Sequence, residues 1–471
     1  MAGCCKQYTD NWKYPTILLC LFGFFVNLRA VEPFFAAYLI GPHHNLTAEQ
    51  VSASVFPVWT YSNLALLLPV FLLTDYLRYK PVIILQGLGM VISLLLSLLT
   101  HGVPAMQVME FFYGIFSACD PAYYAYIYSV VDIAHYQKVT GYCRSITLVG
   151  VALGAVIGQL LVSLAGISLV YLNVISLTST SVAFLCSLFL PLPSRTMFVH
   201  RKMAGDTTNI LSKEMESPHS EQIQSVTITE TENKSKCSNQ CLQLLWRLGK
   251  EMKDCYSSMQ ILYWSLWWAF ATAGYSQIIN YVQLLWEHIE PSQKFAMYNG
   301  GAEAISTLLG AVLSFLVGYV KVNWDVFGEL ALTIFSAIDA GAIFIFMVYS
   351  RNIWMCYAGF IIFKSCYMLL ITIATYQVAV NLSMERYALL FGFNTFVALV
   401  LQTILTLIVV DPRGLALDIV TQFIVYGSYF IVIAGIFFVR SMYLLIPLYC
   451  KGPVNQLQSA IKAKTHHYGI N

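Results

Sequence analysis

Eight ionisable side chains fall inside long apolar stretches of this 471-residue chain: Arg29, Glu32, Glu110, Asp120, Glu303, Glu329, Asp339 and Lys364. A charge near the centre of a bilayer costs at least about 2.5 to 3.5 kcal/mol on insertion scales, so each needs a partner or a task. Six are acids and two are bases. Even if Arg29 and Lys364 each neutralise one acid, carboxylates remain for water, for protonation or for a cationic ligand.

The company of two of these acids favours a ligand. Tyr113 follows Glu110 at i+3, and Phe56 and Trp59 form another i,i+3 pair at a similar depth. Carboxylates beside aromatic faces suit a flat organic cation, because a cation over a ring gains about 0.5 to 2 kcal/mol and stacking adds selection by shape. Each residue also has a plainer reading. Arg29 and Glu32 share a helix face and can pair internally, Glu110 can be an interfacial carboxylate still reaching water, and Trp59 can be an interfacial anchor. Asn280 and Gln283 share a face as neutral donors and acceptors, fit either to read the polar edge of a ligand or to bond between helices. Glu303, after the glycine pair of YNGGAEA, reads as a structural or gating charge, and Lys364 is expected to pair with Asp339 across adjacent spans.

The elements that must hold these residues are membrane helices. The chain is 58% hydrophobic and 11% charged, against about 25% charged in an average soluble domain, so it cannot supply a water-soluble skin. Runs of about 20 apolar residues recur twelve times, at 15–40, 51–74, 81–99, 106–131, 142–165, 168–192, 259–286, 297–320, 327–349, 354–380, 387–410 and 418–445. With both termini cytoplasmic, 21 of the 26 Lys and Arg lie on the cytoplasmic side and only Lys294, Arg351 and Arg413 in exterior loops, as the positive-inside rule demands. The stretch 193–260 is too polar to bury a core and reads as a flexible cytoplasmic linker. It separates a six-helix half at 1–192 from a second at 261–445, with a cytoplasmic tail at 446–471. The expected fold is therefore an all-α membrane protein of twelve transmembrane helices in the major facilitator layout, its substrate site near the midplane between the halves.

Other features set limits. Asn45 in N-L-T lies in the first exterior loop as a glycan acceptor, while Asn233 and Asn381 match the pattern on the cytoplasmic side and should stay bare. Gly150, Gly154 and Gly158 make a small-residue stripe for close helix packing. Asp75 and Arg78 in LLTDYLRYKP read either as a cytoplasmic latch or as a solvated charge cluster. A net charge of +2 gives no field for nucleic acid. No histidine lies within a span, no phosphate-binding loop or Cys-x-x-Cys pair is present, and no nucleophile is activated, so no enzyme, metal or cofactor is expected.

Several strings carry a resemblance: ILLCLFGFF with EPF, FPVWTYS, LLTDYLRYKPVIILQG, MEFFYG, AYYAYIYSVV, WSLWWAFATAG, NYVQ, YVKVNWD and ERYAL. Over nearly the whole chain apart from linker and tail they resemble solute carrier family 19, the folate and thiamine carriers, and within it the thiamine branch. The resemblance implies facilitated uptake of thiamine (vitamin B1) at the plasma membrane, with pyridoxine as a second substrate, by a monomer. It also implies a cavity containing Glu32, Phe56, Trp59, Glu110, Tyr113 and Asn280. Glu110 and Tyr113 are expected on the aminopyrimidine, Phe56 and Trp59 as stacking walls, Glu32 for charge and Asn280 as the contact from the second half. Where folate carriers have an arginine and a lysine, this chain has Asp120 and Gln402, which disfavours an anion. The competing expectations are a folate-type anion exchanger and a receptor that binds without transporting.

Overall fold

A computed structural model describes residues 12–77, 79–131, 135–192, 255–294, 296–317, 324–380 and 384–450, with 249, 252 and 253. The linker expected at 193–260, apart from its last residues, and the tail beyond 450 lie outside the described residues, as do Arg78 and the side chain of Asp75. All regular structure among the described residues is helical.

The first apolar run is not one helix. It forms α1 (Lys13–Asn27), an irregular link, a 3-10 turn at Glu32–Phe34, and α2 (Phe35–Ile40). Pro33 explains the break, since it lacks an N–H and cannot continue a helical ladder. A broken helix in a membrane is tolerated only where neighbours satisfy the freed backbone groups. Here Ser176 Oγ accepts from the Val31 N–H at 3.1 Å, Gln283 Nε2 donates to the Glu32 carbonyl at 2.9 Å, and Gln283 Oε1 accepts from the Ala36 N–H at 3.1 Å.

The rest of the first half comprises α3 (Phe56–Tyr76), α4 (Lys80–Leu99), α5 (Val103–Val130), α6 (Tyr136–Ser163) and α7 (Leu169–Leu188). A capping box between Thr47 and Gln50 begins the short turn that leads through a π-helical segment into α3. The second half comprises α8 (Met259–Ile289), α9 (Asn299–Val317), α10 (Trp324–Gly341), continued as a π-helix to Tyr349, α11 (Ile353–Val380), α12 (Met384–Val409) and α13 (Ile419–Cys450).

Among the described residues ten helices are long and apolar enough to cross a membrane, against the twelve expected. The two that fall short are α5 and α8. Helix α5 carries Glu110, Asp120 and five tyrosines, and α8 carries Asn280 and three glutamines. Both have the length to span, at about 1.5 Å per residue, and polar residues on their inner faces lower their apolarity. Outer faces elsewhere expose large apolar side chains such as Ile305, Phe315 and Val439, the surface of a protein whose solvent is lipid.

Glycines set the closest approaches. A Cβ on Gly150 would meet the Phe24 carbonyl at 2.7 Å, on Gly154 the Arg29 N at 2.8 Å, and on Gly158 the Ala30 carbonyl at 2.5 Å. The stripe therefore seats the end of α1 and the broken link directly on the α6 backbone, as small-residue packing predicts. Between the halves, α6 packs on α9, α3 on α12 and α2 on α8. At the first crossing a Cβ on Gly300 would meet the Ala155 carbonyl at 2.6 Å. Gln159 beside it donates to the Met297 carbonyl at 2.8 Å and accepts from the Gly301 N–H at 2.9 Å. At the second, the Tyr61 hydroxyl donates to Asp411 Oδ2 at 2.7 Å.

Candidate functional site

A cavity of about 340 Å³ lies between the halves. Its walls include all six residues expected to meet a substrate, Glu32, Phe56, Trp59, Glu110, Tyr113 and Asn280, together with Arg29, Glu303 and Lys364. The sequence separates these residues by more than 300 positions, and the break in the first span, α3, α5, α8, α9 and α11 bring them onto one surface.

On the first-half wall, Arg29, Glu32 and Tyr113 form a closed triangle. Arg29 Nη1 lies 2.9 Å from Glu32 Oε2 and donates to the Tyr113 hydroxyl at 2.9 Å, and that hydroxyl donates to Glu32 Oε1 at 3.0 Å. The guanidinium also lies 5.5 Å from the Phe116 ring centroid, a favourable cation–π distance. The internal pair anticipated for Arg29 and Glu32 therefore forms. The Glu32 side chain is nevertheless 44% exposed, so its carboxylate still faces the cavity.

Glu110 is different. It sits two turns inside α5 and is only 5% exposed, so it is not an interfacial carboxylate. Among the described residues it has no ion pair and no hydrogen bond. Around it, Trp59 and Tyr113 meet with ring centroids 6.0 Å apart, and Trp59 Nε1 donates to Ser117 Oγ at 2.8 Å, which fixes the indole plane. Phe56 packs 6.1 Å from Tyr281 of the other half.

The second-half wall is neutral. Lys364 Nζ pairs with Glu303 Oε1 and donates to Thr307 Oγ1 at 2.9 Å, over the ring of Phe360. The expected pair between Lys364 and Asp339 does not form. Glu303 and Thr307, one turn apart on α9, take up the ammonium, while Asp339 is buried elsewhere on α10 with Oδ1 unpartnered. Arg440, expected among the cytoplasmic cations, has its Nε 3.4 Å from Glu329 Oε2. Asn280 Nδ2 is buried and unpartnered at the cavity wall, whereas Gln283 is committed to the backbone of the broken span.

Sequence reasoning missed Thr307, Phe360, Tyr275 and Trp286 on this wall. A signal existed for two of them: Thr307 is i+4 from Glu303 and Phe360 is i−4 from Lys364, the spacing that stacks side chains on one helix face. Asp120, one of the two positions that depart from the folate pattern, accepts from Gln86 Nε2 at 3.2 Å, and the other, Gln402, is buried with its carbonyl bonded to Gln277.

The sequence profile of the Reduced folate carrier family matches residues 10–425. Thiamine transporter 2 of Homo sapiens is 56% identical over 453 residues, covering 93% of this chain and 91% of its own length. Thiamine transporter 1 of Homo sapiens is 51% identical, covering 91% and 89%, and the human reduced folate transporter 41% identical, covering 92% and 72%. Among solved structures, a bacterial homologue of the human lysosomal transporter Spinster superposes with a TM-score of 0.60 at 12% identity, covering 92% of this chain and 98% of that one. The nucleoside transporter NupG does so with 0.56 at 14%, covering 90% and 98%. These two likenesses establish the fold, that of the major facilitator transporters.

Proposed function

The chain belongs to the reduced folate carrier family, a family of transporters and not of enzymes, and from that membership and the charge of the cavity we propose that it carries thiamine across the membrane by alternating access. The observation that carries this reading is the buried, unpaired carboxylate of Glu110 on a wall of aromatic rings. Thiamine is a permanent thiazolium cation bearing a flat aminopyrimidine. It cannot shed its charge by losing a proton, so a fixed carboxylate in a low-dielectric cavity stabilises it without a titration step.

In this reading Glu110 and the Tyr113 hydroxyl take the aminopyrimidine, and Phe56 and Trp59 stack on the rings. Glu32, tethered by Arg29, adds negative potential. Asn280 Nδ2, lacking a protein partner, completes its bonding on the ligand, and so ties occupancy to the second half. Pyridoxine, a smaller ring without the fixed charge, is taken as a second substrate through the same stacking walls. The reading also takes the chain to be a plasma-membrane monomer with both termini cytoplasmic, a linker at 193–260 and a glycan on the exposed Asn45, which would place the 41–47 loop outside the cell.

The test is uptake of labelled thiamine and labelled reduced folate by cells expressing the full chain. Saturable thiamine uptake is expected, with little folate uptake. Folate uptake without thiamine uptake would overturn the proposal in favour of an anion exchanger. Thiamine binding without accumulation would favour a receptor.

A further inference from the structure

Three imidazoles meet at the end of the first half where the loop after α2 lies against the end of α4. The ring centroids of His43 and His44 are 4.7 Å apart, those of His43 and His101 4.9 Å, and those of His44 and His101 5.4 Å. Among the described residues no group of three or more histidines, cysteines or carboxylates is placed to hold a metal ion. His44 Nε2 lies 2.9 Å from the Ser97 carbonyl and His43 Nε2 lies 3.3 Å from that of Leu98. A carbonyl only accepts, so in His44 the proton sits on Nε2 and Nδ1 is bare. That Nδ1 is buried without a partner.

His44 thus pins the loop to α4 in its neutral form, the His43 ring lies against the next carbonyl of α4, and His101 meets both rings. A second proton on His44 would sit at Nδ1 with no acceptor, beside two further imidazoles. The other titratable group facing it is Tyr38 of α2, whose hydroxyl donates to the Ser97 carbonyl at 2.7 Å and whose ring meets both His43 and His44. From α7 comes only the neutral Asn173, bonded to Ser97 Oγ and to the Tyr38 hydroxyl. Among the described residues no carboxylate pairs with these rings to balance a charge.

What the loop holds is α2, a helix of six residues. One end of α2 is tied to Gln283 of α8, and the other runs into the histidine loop. We propose that His43, His44 and His101 form an acid-released clamp on α2, the segment through which the first half closes against α8. The clamp rests on the orientation given above only for which compartment's pH it reads. Burial, and then the neighbouring His43, push the His44 pKa down to about 4 from an ordinary 6.5. A group whose clamped pKa lies below its free value contributes stability that is full above the free pKa and is lost as pH falls toward the clamped one. The clamp is therefore whole at neutral pH and weakens from about pH 6.5 down to about pH 4.

The experiment uses the purified full chain in detergent and a maleimide probe, with no transport assay. Ala36→Cys places a thiol at a buried position against Gln283, and Glu49→Cys an exposed reference in the next turn. Moving one imidazole between those two pKa values shifts the clamp equilibrium about tenfold between about pH 7.5 and about pH 5.5. The ratio of labelling rates at the two positions should rise by about that factor on acidification. It should stay flat in the His44→Gln/His101→Asn background, where the glutamine keeps a donor for Ser97 and cannot titrate. An unchanged ratio in the native-histidine background, or the same rise in the double variant, would overturn the clamp. Should Ala36→Cys fail to fold, melting temperatures decide: the unmodified chain should lose more stability on acidification than the double variant, and equal losses would refute it.

Discussion

The two walls of the cavity hold similar side chains in opposite electrical states. On the first-half wall one base, Arg29, serves one of two acids and leaves Glu110 bare; on the second, Lys364 and Glu303 cancel each other with Thr307 in support. A paired buried charge is structure, because removing one partner strands the other, whereas an unpaired one costs stability and is kept for a ligand. The contrast assigns charge recognition to the first half and leaves the second to neutral contact and closure.

The largest effect should come from breaking the balanced wall. Glu303→Ala strands the Lys364 ammonium, nearly buried at 5% exposure, and should destabilise the protein by about 3 to 5 kcal/mol. Thermal melting of purified protein reads this, and Glu303→Ala/Lys364→Met should recover most of the loss. If the single variant melts like the parent, the wall is not held by this pair.

Breaking the unbalanced wall should do the reverse. Glu110→Gln removes a carboxylate with no protein partner, so melting temperature should hold or rise, while thiamine affinity falls about 10- to 100-fold, or about 1.4 to 2.8 kcal/mol. Equilibrium binding measures it; unchanged affinity would remove Glu110 from the site and dissolve the contrast between the walls. Trp59→Ala gives the smallest effect, a loss of stacking of about 0.5 to 1.5 kcal/mol, or roughly two- to tenfold in affinity. Parental affinity in that variant would leave Trp59 as a wall of the cavity without a part in recognition.

Much of this was legible in the residues alone. Apolar runs, cation asymmetry and the surplus of acids are one-dimensional properties, so the helices and the sign of the cavity could be read directly. Pairing could not. Arg29 and Glu32 meet because i and i+3 share a face whatever the fold, but Lys364 had several acids within reach in principle, and only the rotation of α11 against α9 selects Glu303 over Asp339. The break in the first span was likewise hidden in an unbroken apolar run. Its cause, Pro33, is local, but its tolerance depends on Ser176 and Gln283, which come from two distant helices. Helices α5 and α8 read as spans by their length although their composition falls short, and some of the residues that lower it, Glu110 and Tyr113 on α5 and Asn280 and Gln283 on α8, line the cavity.

The crossing of α6 over α9 carries one more implication. At Gly300 the backbone of α9 comes so near the Ala155 carbonyl of α6 that a Cβ would lie 2.6 Å from it, with the Gln159 and Phe34 side chains flanking the contact. A contact this close leaves the two helices no room to approach further, so it behaves as a fulcrum. The sweep of any rocking grows with distance from it, and a bulkier residue at this position would jam the hinge while leaving every wall of the cavity intact.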